Sequence, residues 1–190
     1  MKKAFAIICI SFIIILQSCS SSKKITSTSR PQNDYEITST VRIKNKVAPR
    51  KINTKNTSAD ELVVFAESLQ GVPYKYGSTD IKKGFDCSGF ISYVFNHFDI
   101  KVPRSSIEFT NAGKEVSLKD CRPGDIILFT GSDANSGVVG HMGIITKNNN
   151  KKITFIHSAS GGGRGVMLSG LSEYFVARFV KVIRIFDISE

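Results

Sequence analysis

The residues best suited to chemistry in this chain are one cysteine and two histidines. Cys87 lies within residues 85–90, and His141 and His157 lie far downstream within two apolar segments. A thiol becomes a nucleophile when an imidazole takes its proton, and the two groups need not be close in sequence. These residue types therefore indicate a cysteine nucleophile with a histidine general base.

The position of Cys87 favours that chemistry. Apolar residues recur at helical spacing directly after it, so Cys87 is predicted at the N-terminus of a helix covering residues 87–98. A helix N-terminus stabilises a thiolate, and its free amides can bind the oxyanion of a tetrahedral intermediate. The alternative is a buried structural cysteine, which is the commonest role of a free thiol.

The two histidines lie on neighbouring predicted strands, separated by a polar turn at residues 148–150. Such a hairpin can bring both rings to one side, so that His141 accepts the thiol proton and His157 orients His141 through a ring-to-ring hydrogen bond. The third histidine, His97, is predicted on the surface near a helix end. A zinc site at Cys87, His141 and His157 is a weak alternative because the spacing is irregular. No metal and no cofactor are predicted.

The start of the chain predicts export. Two lysines precede an apolar run of 13 residues, which is too short to span a bilayer and suits a signal peptide. Residues 16–19, Leu-Gln-Ser-Cys, resemble the bacterial lipobox, so residues 1–18 are predicted as a lipoprotein signal peptide and Cys19 as the lipidated residue. The lipid would hold the protein on a bacterial membrane in the cell envelope, facing the periplasm. An ordinary signal peptide is the alternative.

The positive charge is concentrated after the signal. The chain has a formal net charge of +10, and residues 20–56 carry nine Lys or Arg against two acids, whereas residues 57–190 carry 15 against 14. Residues 19–56 are therefore predicted as a lipidated cysteine followed by a basic, disordered stalk. The stalk would attract anionic lipid headgroups or envelope polyanions, or would be a solvated linker. Nucleic acid is not a predicted partner of an exported protein.

Two cysteines remain in the predicted domain, Cys87 and Cys121. Two cysteines in an exported chain can form a disulfide, but a nucleophilic Cys87 must remain free. We therefore expect two free thiols. Cys121 is predicted to be a small, half-buried apolar residue.

Residues 57–190 have the size of one domain. Ser58 and Glu61 form a capping-box pattern ahead of a helix that ends near Gly71, and a weaker third helix is predicted at residues 104–112. Predicted strands follow at residues 126–129, 141–146, 152–157, 166–168 and 179–186. Helices followed by strands indicate an α+β domain with an antiparallel sheet.

Six short motifs occur in order along this domain. They are Pro73-Tyr74-Lys75-Tyr76-Gly77, Gly84-Phe85-Asp86-Cys87-Ser88-Gly89-Phe90, Val102-Pro103-Arg104-Ser105-Ser106, Arg122-Pro123-Gly124-Asp125-Ile126, Gly140-His141-Met142-Gly143-Ile144 and Phe155-Ile156-His157-Ser158-Ala159. Together they resemble the NlpC family of bacterial cell-wall cysteine peptidases, over most of residues 60–185. The resemblance implies a papain-like α+β fold, with N-terminal helices, and the nucleophile at a helix N-terminus, packed on an antiparallel sheet.

The resemblance also implies roles for particular residues. Cys87 matches the nucleophile, His141 the base and His157 the orienting residue of an endopeptidase that cleaves peptidoglycan stem peptides at the γ-D-glutamyl-meso-diaminopimelate bond. The residues matched to oxyanion or substrate contacts are Tyr74, Asp86, Ser88 and Ser106.

The sequence departs from the family pattern at Ser78, where many relatives have a second glycine, and in the long Gly- and Ser-rich segment between Phe129 and His141. That segment is expected to overhang the cleft and change which stem peptides fit. Two alternatives stay open: a non-catalytic peptidoglycan-binding lipoprotein, and a papain-like amidase or acyltransferase acting on another envelope substrate.

Overall fold

A computed structural model describes residues 50–149, 152–161 and 165–186. The predicted signal peptide, Cys19 and residues 20–49 of the stalk lie outside the described residues. Within the described ranges, every helix is too short or too polar to cross a bilayer.

The first helix, α1 (Ala59–Ser68), begins with the predicted capping box. The Glu61 amide donates to Ser58 Oγ at 3.2 Å, and the Ser58 amide donates back to the Glu61 carboxylate at 2.8 Å. These bonds satisfy amides that the first turn leaves without a helical partner. The helix buries Leu62 and Ala66 completely.

The second helix, α2 (Cys87–His97), begins at the predicted nucleophile. Its apolar residues Phe90, Ile91, Val94 and Phe95 are fully buried, so packing against the sheet fixes the orientation of the helix. His97 at its last residue is exposed and stacks on Phe65, as expected for a surface histidine.

A six-stranded sheet forms the rest of the domain, and every neighbouring pair is antiparallel. Its order is β3-β8-β4-β5-β6-β7. The strands are β3 (Lys114–Val116), β4 (Ile126–Thr130), β5 (Val139–Asn149), β6 (Lys152–Ala159), β7 (Gly165–Gly170) and β8 (Phe179–Arg184). The predicted α+β class with an antiparallel sheet is confirmed.

Several short elements differ from the sequence prediction. The expected third helix is a 3-10 helix, η1 (Ser106–Asn111), and the prediction omitted β3, the hairpin β1 (Thr79–Asp80) with β2 (Gly84–Phe85), and α3 (Glu173–Val176). Each of these omitted elements has two to four residues, which is too short for a hydrophobic period to appear. Tertiary contacts stabilise them.

Packed residues also lie N-terminal to residue 57, where the domain is predicted to begin. Ile52 is buried in the main core, the Arg50 amide donates to the Asn111 carbonyl at 2.7 Å, and Lys55 forms a salt bridge with Asp99. Within the described residues, contacts with the domain therefore extend to Arg50.

The buried side chains form two clusters. The larger contains the apolar residues of α1 and α2, and the smaller contains Phe129, Phe155 and Cys121, with Phe175 of α3 packed against it. Cys121 is buried rather than half-buried, and the Asn148 amide donates to its backbone carbonyl at 2.9 Å. Cys87 and Cys121 are both free thiols, as expected.

Candidate active site

The Cys87 thiol lies at the first turn of α2. The side chain of the N-cap residue, Asp86, accepts the Gly89 amide, which fixes the start of the helix. Cys87 Sγ donates to the Gly140 carbonyl at 3.8 Å, so the thiol lies beside the residue that precedes His141.

Burial sets the protonation of this thiol. Burial, aided by the negative charge of Asp86, raises the pKa of Cys87 to about 11, although the amides of Ser88 and Cys87 oppose that rise by donating toward the sulfur. The resting group is thus a neutral thiol at neutral pH, and a base is needed to remove its proton.

The two predicted histidines form a direct pair. Nε2 of His141, on β5, lies 2.8 Å from Nδ1 of His157, on the adjacent strand β6. Because Nε2 of His141 is bonded to the second ring, Nδ1 is the nitrogen left to accept a proton. The predicted ring-to-ring hydrogen bond is therefore present in the structure.

A glycine in β5 makes room for this contact. Gly143 is buried, and a Cβ there would lie 2.7 Å from the Phe155 ring and 3.3 Å from Cβ of His157. Any larger residue would push against β6 at the histidine pair. The glycine therefore lets the His157 ring lie close to β5.

Aromatic rings enclose the pair. Phe175 of α3 lies edge-on to His157, with centroids 5.5 Å apart, and stacks at 6.5 Å on His141, while Phe129 stacks on His141 from β4 at 6.2 Å. Burial in this setting lowers the pKa of His141 to about 4. Burial, together with the charge of His141, lowers the pKa of His157 to about 3. Both rings are neutral at pH 7, so His141 can act as a base.

The pair extends to a third strand. Nε2 of His157 lies 2.9 Å from Oγ of Ser169 on β7, a half-buried residue. Two successive hydrogen bonds thus link side chains of β5, β6 and β7.

Asp86 and Ser88 belong to a polar network beside the thiol. The Arg104 guanidinium donates to Ser88 Oγ at 2.9 Å and to Asp86 Oδ2 at 3.3 Å, and the Gly77 amide donates to Asp86 Oδ2 at 2.9 Å. Asp86 is buried, and both carboxylate oxygens have protein partners. Arg104 has a side chain that is 47% exposed, so it is the cation that a substrate can reach.

Tyr74 and Ser106 lie on two further sides of Cys87. The backbone of Tyr74 pairs with that of Phe85 in an isolated parallel β-bridge. Burial raises the pKa of the Tyr74 hydroxyl, and the nearby charges of Cys87 and Asp86 add to this rise. Ser106 begins η1, and its Oγ donates to the Val139 carbonyl at 3.5 Å, next to Gly140. Tyr74, Asp86, Ser88 and Ser106 thus lie on segments beside the start of α2 or the start of β5, while His141 and His157 lie on β5 and β6.

Three residues of this site escaped the sequence analysis: Arg104, Ser169 and Phe175. Arg104 lies within one of the six motifs, but its hydrogen bonds to Asp86 and Ser88 join residues that are far apart in sequence. Ser169 and Phe175 carried no signal, because a serine in a strand and an aromatic in a short helix are ordinary. Within the described ranges, no three His, Cys, Asp or Glu residues are arranged to hold a metal ion.

The helices packed on an antiparallel sheet, with a thiol at a helix N-terminus beside two strands that carry a hydrogen-bonded imidazole pair, place the domain in the papain-like fold class. The family model for the NlpC/P60 family matches residues 71–184. The chain belongs to the NlpC/P60 family.

Curated relatives agree with this assignment. The chain is 33% identical over 139 residues to the murein DD-endopeptidase MepS/murein LD-carboxypeptidase of Escherichia coli K12, covering 72% of this chain and 65% of that protein. It is 31% identical over 135 residues to the gamma-DL-glutamyl hydrolase of Bacillus subtilis, covering 71% and 32% respectively. The chain thus spans just under two thirds, or less, of the length of these two relatives.

Solved structures share the fold. An NlpC/P60 family protein from Bacillus cereus superposes with a TM-score of 0.60 at 26% identity, covering 70% of this chain and 41% of that one. The NlpC/p60 domain of the peptidoglycan hydrolase SagA superposes with a TM-score of 0.54 at 25% identity, covering 67% and 99%. The papain-like α+β fold is thereby established.

Proposed function

We propose that this protein is a peptidoglycan hydrolase, a cysteine endopeptidase that cleaves stem peptides at the γ-D-glutamyl-meso-diaminopimelate bond. The observation that carries the proposal is the His141–His157 hydrogen bond next to the Cys87 helix N-terminus. Family membership and relatives named as murein endopeptidase and gamma-DL-glutamyl hydrolase support the substrate class.

The first half of the reaction forms a thioester. Nδ1 of His141 takes the thiol proton as Cys87 Sγ attacks the γ-carbonyl carbon of the D-glutamyl residue. The resulting imidazolium keeps its Nε2 proton, which it donates to His157 Nδ1. His141 then gives the Nδ1 proton to the leaving amine of diaminopimelate, and the C–N bond breaks. A positioned base of this kind contributes roughly 10²–10⁴-fold to the rate.

The second half regenerates the thiol. His141 Nδ1 takes a proton from water as the hydroxide attacks the thioester carbonyl. The C–S bond breaks, the γ-carboxyl product leaves, and the sulfur recovers the proton from His141. No metal or cofactor enters these steps.

The oxyanion is stabilised at the helix start. The Cys87 and Ser88 amides already donate toward the sulfur, so they face the space in which a carbonyl oxygen becomes negative. The Tyr74 hydroxyl, beside Cys87, supplies a further donor. Removing one such donor typically costs about 10²–10³-fold in kcat.

The substrate contacts follow from charge. A γ-linked D-glutamyl residue keeps a free α-carboxylate near the scissile bond, and the exposed part of Arg104 offers donors to it. Ser106 adds a donor by turning its hydroxyl from the Val139 carbonyl, and the buried Ser88 hydroxyl holds Arg104. Asp86 supports this group by holding Arg104 in place and capping α2.

Peptidoglycan digestion tests the proposal. Purified peptidoglycan is incubated with the 190-residue chain, with Cys87→Ala and with Cys121→Ala, and mass spectrometry follows the products. We expect cleaved stem peptides from the wild type and Cys121→Ala, and none from Cys87→Ala. Muramic acid freed of its whole peptide would instead indicate an amidase, and new peptide linkages an acyltransferase. Bound but uncut peptidoglycan in all three samples would indicate a binding protein.

We also propose that the protein is a lipoprotein of the cell envelope, anchored through Cys19. The support is the sequence of residues 1–19 and the basic residues that follow. Metabolic labelling with a palmitate analogue tests this in cells producing the wild type or Cys19→Ser. Label on both, or on neither, contradicts the anchor.

A further inference from the structure

Beyond the Cys87, His141 and His157 triad, the structure assigns Ser169 as a positioning residue that holds the His157 ring in the tautomer the reaction needs. This inference rests on the proposed function for its use in catalysis, but the hydrogen-bonded geometry on which it stands does not.

The argument begins with the nitrogen that must be free. For His141 to accept the thiol proton, its Nδ1 must carry a lone pair, so in the neutral ring the proton resides on Nε2. That Nε2–H donates to His157 Nδ1, 2.8 Å away. His157 Nδ1 must therefore be an acceptor, and the His157 proton must reside on Nε2.

Ser169 meets that Nε2–H. Its Oγ lies 2.9 Å from His157 Nε2, at hydrogen-bond distance, and can accept the proton that the reactive tautomer places there. Without this acceptor, the buried Nε2–H would have no partner, and the opposite tautomer would become more favourable. In that tautomer His157 donates to His141, the His141 proton moves to Nδ1, and the base can no longer accept from the thiol.

The surroundings leave few competing partners for His157. Phe155 and Phe175 cover its ring, with centroids 5.0 and 5.5 Å away, and the residue is 2% exposed. The other ionisable residues on β4 to β7, α2 and α3, with the N-cap of α2, are Asp86, Cys87, Tyr93, His97, Lys147, Lys152, Glu173 and Tyr174. The His157 ring forms its hydrogen bonds with Ser169 and His141.

The test compares Ser169→Ala with Ser169→Thr, which keeps the hydroxyl, and with Ser172→Ala as a matched control. Ser172 is exposed and makes no side-chain cap bond. The rate at which iodoacetamide alkylates Cys87 is measured from pH 5 to 10 in the 190-residue chain, with peptide mapping to identify the labelled thiol. Hydrolysis of stem peptides is measured beside it.

For Ser169→Ala we expect about a tenfold fall in kcat with KM unchanged, which is the effect of one hydrogen bond on a charged state. The alkylation rate near neutral pH should be lower than in the wild type, because fewer molecules have the His157 tautomer that lets His141 accept the thiol proton. Ser169→Thr should restore both, and Ser172→Ala should change neither. The inference is overturned if Ser169→Ala keeps the wild-type alkylation profile.

The two proposals can fail separately. If wild type cuts no stem peptide but its alkylation profile still depends on the Ser169 hydroxyl, the proposed substrate is wrong and the positioning role stands. If stem peptides are cut equally by wild type and Ser169→Ala, the function stands and the positioning role is wrong.

Discussion

His141 Nε2 and His157 Nδ1 lie 2.8 Å apart across the β5–β6 hairpin, and the side-chain-free Gly143 of β5 makes room for the His157 ring. Because this contact occupies Nε2 of His141, it leaves Nδ1 as the nitrogen that acts as the base in the proposed mechanism. In that mechanism two histidines are needed on neighbouring strands, since the proton position on one ring depends on the other.

Replacing His141 should show how the Cys87 thiol reacts without a neighbouring base. The half-buried Cys87 already has a pKa of about 11 in the wild type, so His141→Gln should leave that pKa near 11 and remove only the group that takes the thiol proton. We expect iodoacetamide alkylation of Cys87 to be slow at pH 7 and still rising with pH at pH 10. Reaction that levels off below pH 8 would mean that something other than His141 activates the thiol. Cys121→Ala serves as the matched control.

The buried histidines should make the domain less stable in mild acid. Burial lowers the pKa of both rings below the unfolded value, so the unfolded chain binds more protons below about pH 6.5. Stability should therefore be greatest above pH 6.5 and decrease toward pH 4, by up to about 3 kcal/mol for each ring. Urea unfolding at pH 7, 5.5 and 4.5 measures this. His141→Gln should show a smaller decrease, and an equal decrease would contradict the assignment.

A methyl group at Gly89 should disturb the site without removing any catalytic group. A Cβ there would lie 2.0 Å from the Ser78 carbonyl oxygen and 2.8 Å from Asp86 Oδ1, so the loop bearing Tyr74 or the helix start must move. We expect Gly89→Ala to lower the free energy of unfolding by about 1–3 kcal/mol and to reduce hydrolysis. At Gly161 nothing lies within 4 Å of such a Cβ, so Gly161→Ala should resemble the wild type. Equal effects of the two variants would rule out this packing argument.

A buried ion pair far from the thiol should control stability rather than chemistry. Arg184 donates to both carboxylate oxygens of Asp125, at 2.9 and 2.7 Å, and the Asp125 side chain is 4% exposed. Asp125→Ala removes the carboxylate from the mostly buried Arg184 guanidinium, which keeps only its bond to the Asp120 carbonyl, and should cost about 3 kcal/mol. Glu115→Ala, which breaks an exposed pair with Lys181, should cost less than about 1 kcal/mol. Chemical denaturation compares them, and similar costs would contradict the argument.

Most of the helices and strands that position the site could be predicted from the sequence, because the patterns that encode them are local. The capping box at Ser58, the apolar face of α2 and the strand pair that carries His141 and His157 are each encoded within about a dozen residues. Cys87, His141 and His157 could be identified as candidates from the chemistry of their side chains alone. The same patterns therefore placed the thiol at a helix start and both imidazoles on one hairpin.

The remainder depends on tertiary contacts that no spacing encodes. Arg104 reaches Asp86 and Ser88 across 18 and 16 residues of chain, and Ser169 meets His157 from an adjacent strand. Ile52 joins the core from a segment whose composition is that of a stalk. Composition describes the average of a segment, so it does not reveal that one isoleucine of that segment is buried in the core.

The most direct test of the central claim is the bond cut in a defined substrate. Cross-linked muropeptides containing γ-D-glutamyl-meso-diaminopimelate are incubated with the 190-residue chain and with Cys87→Ala, and the product masses are determined. The account predicts that wild type separates D-glutamate from diaminopimelate and that Cys87→Ala leaves the substrate intact. Cleavage only at the DD-peptide cross-link, or cleavage that survives in Cys87→Ala, would contradict it.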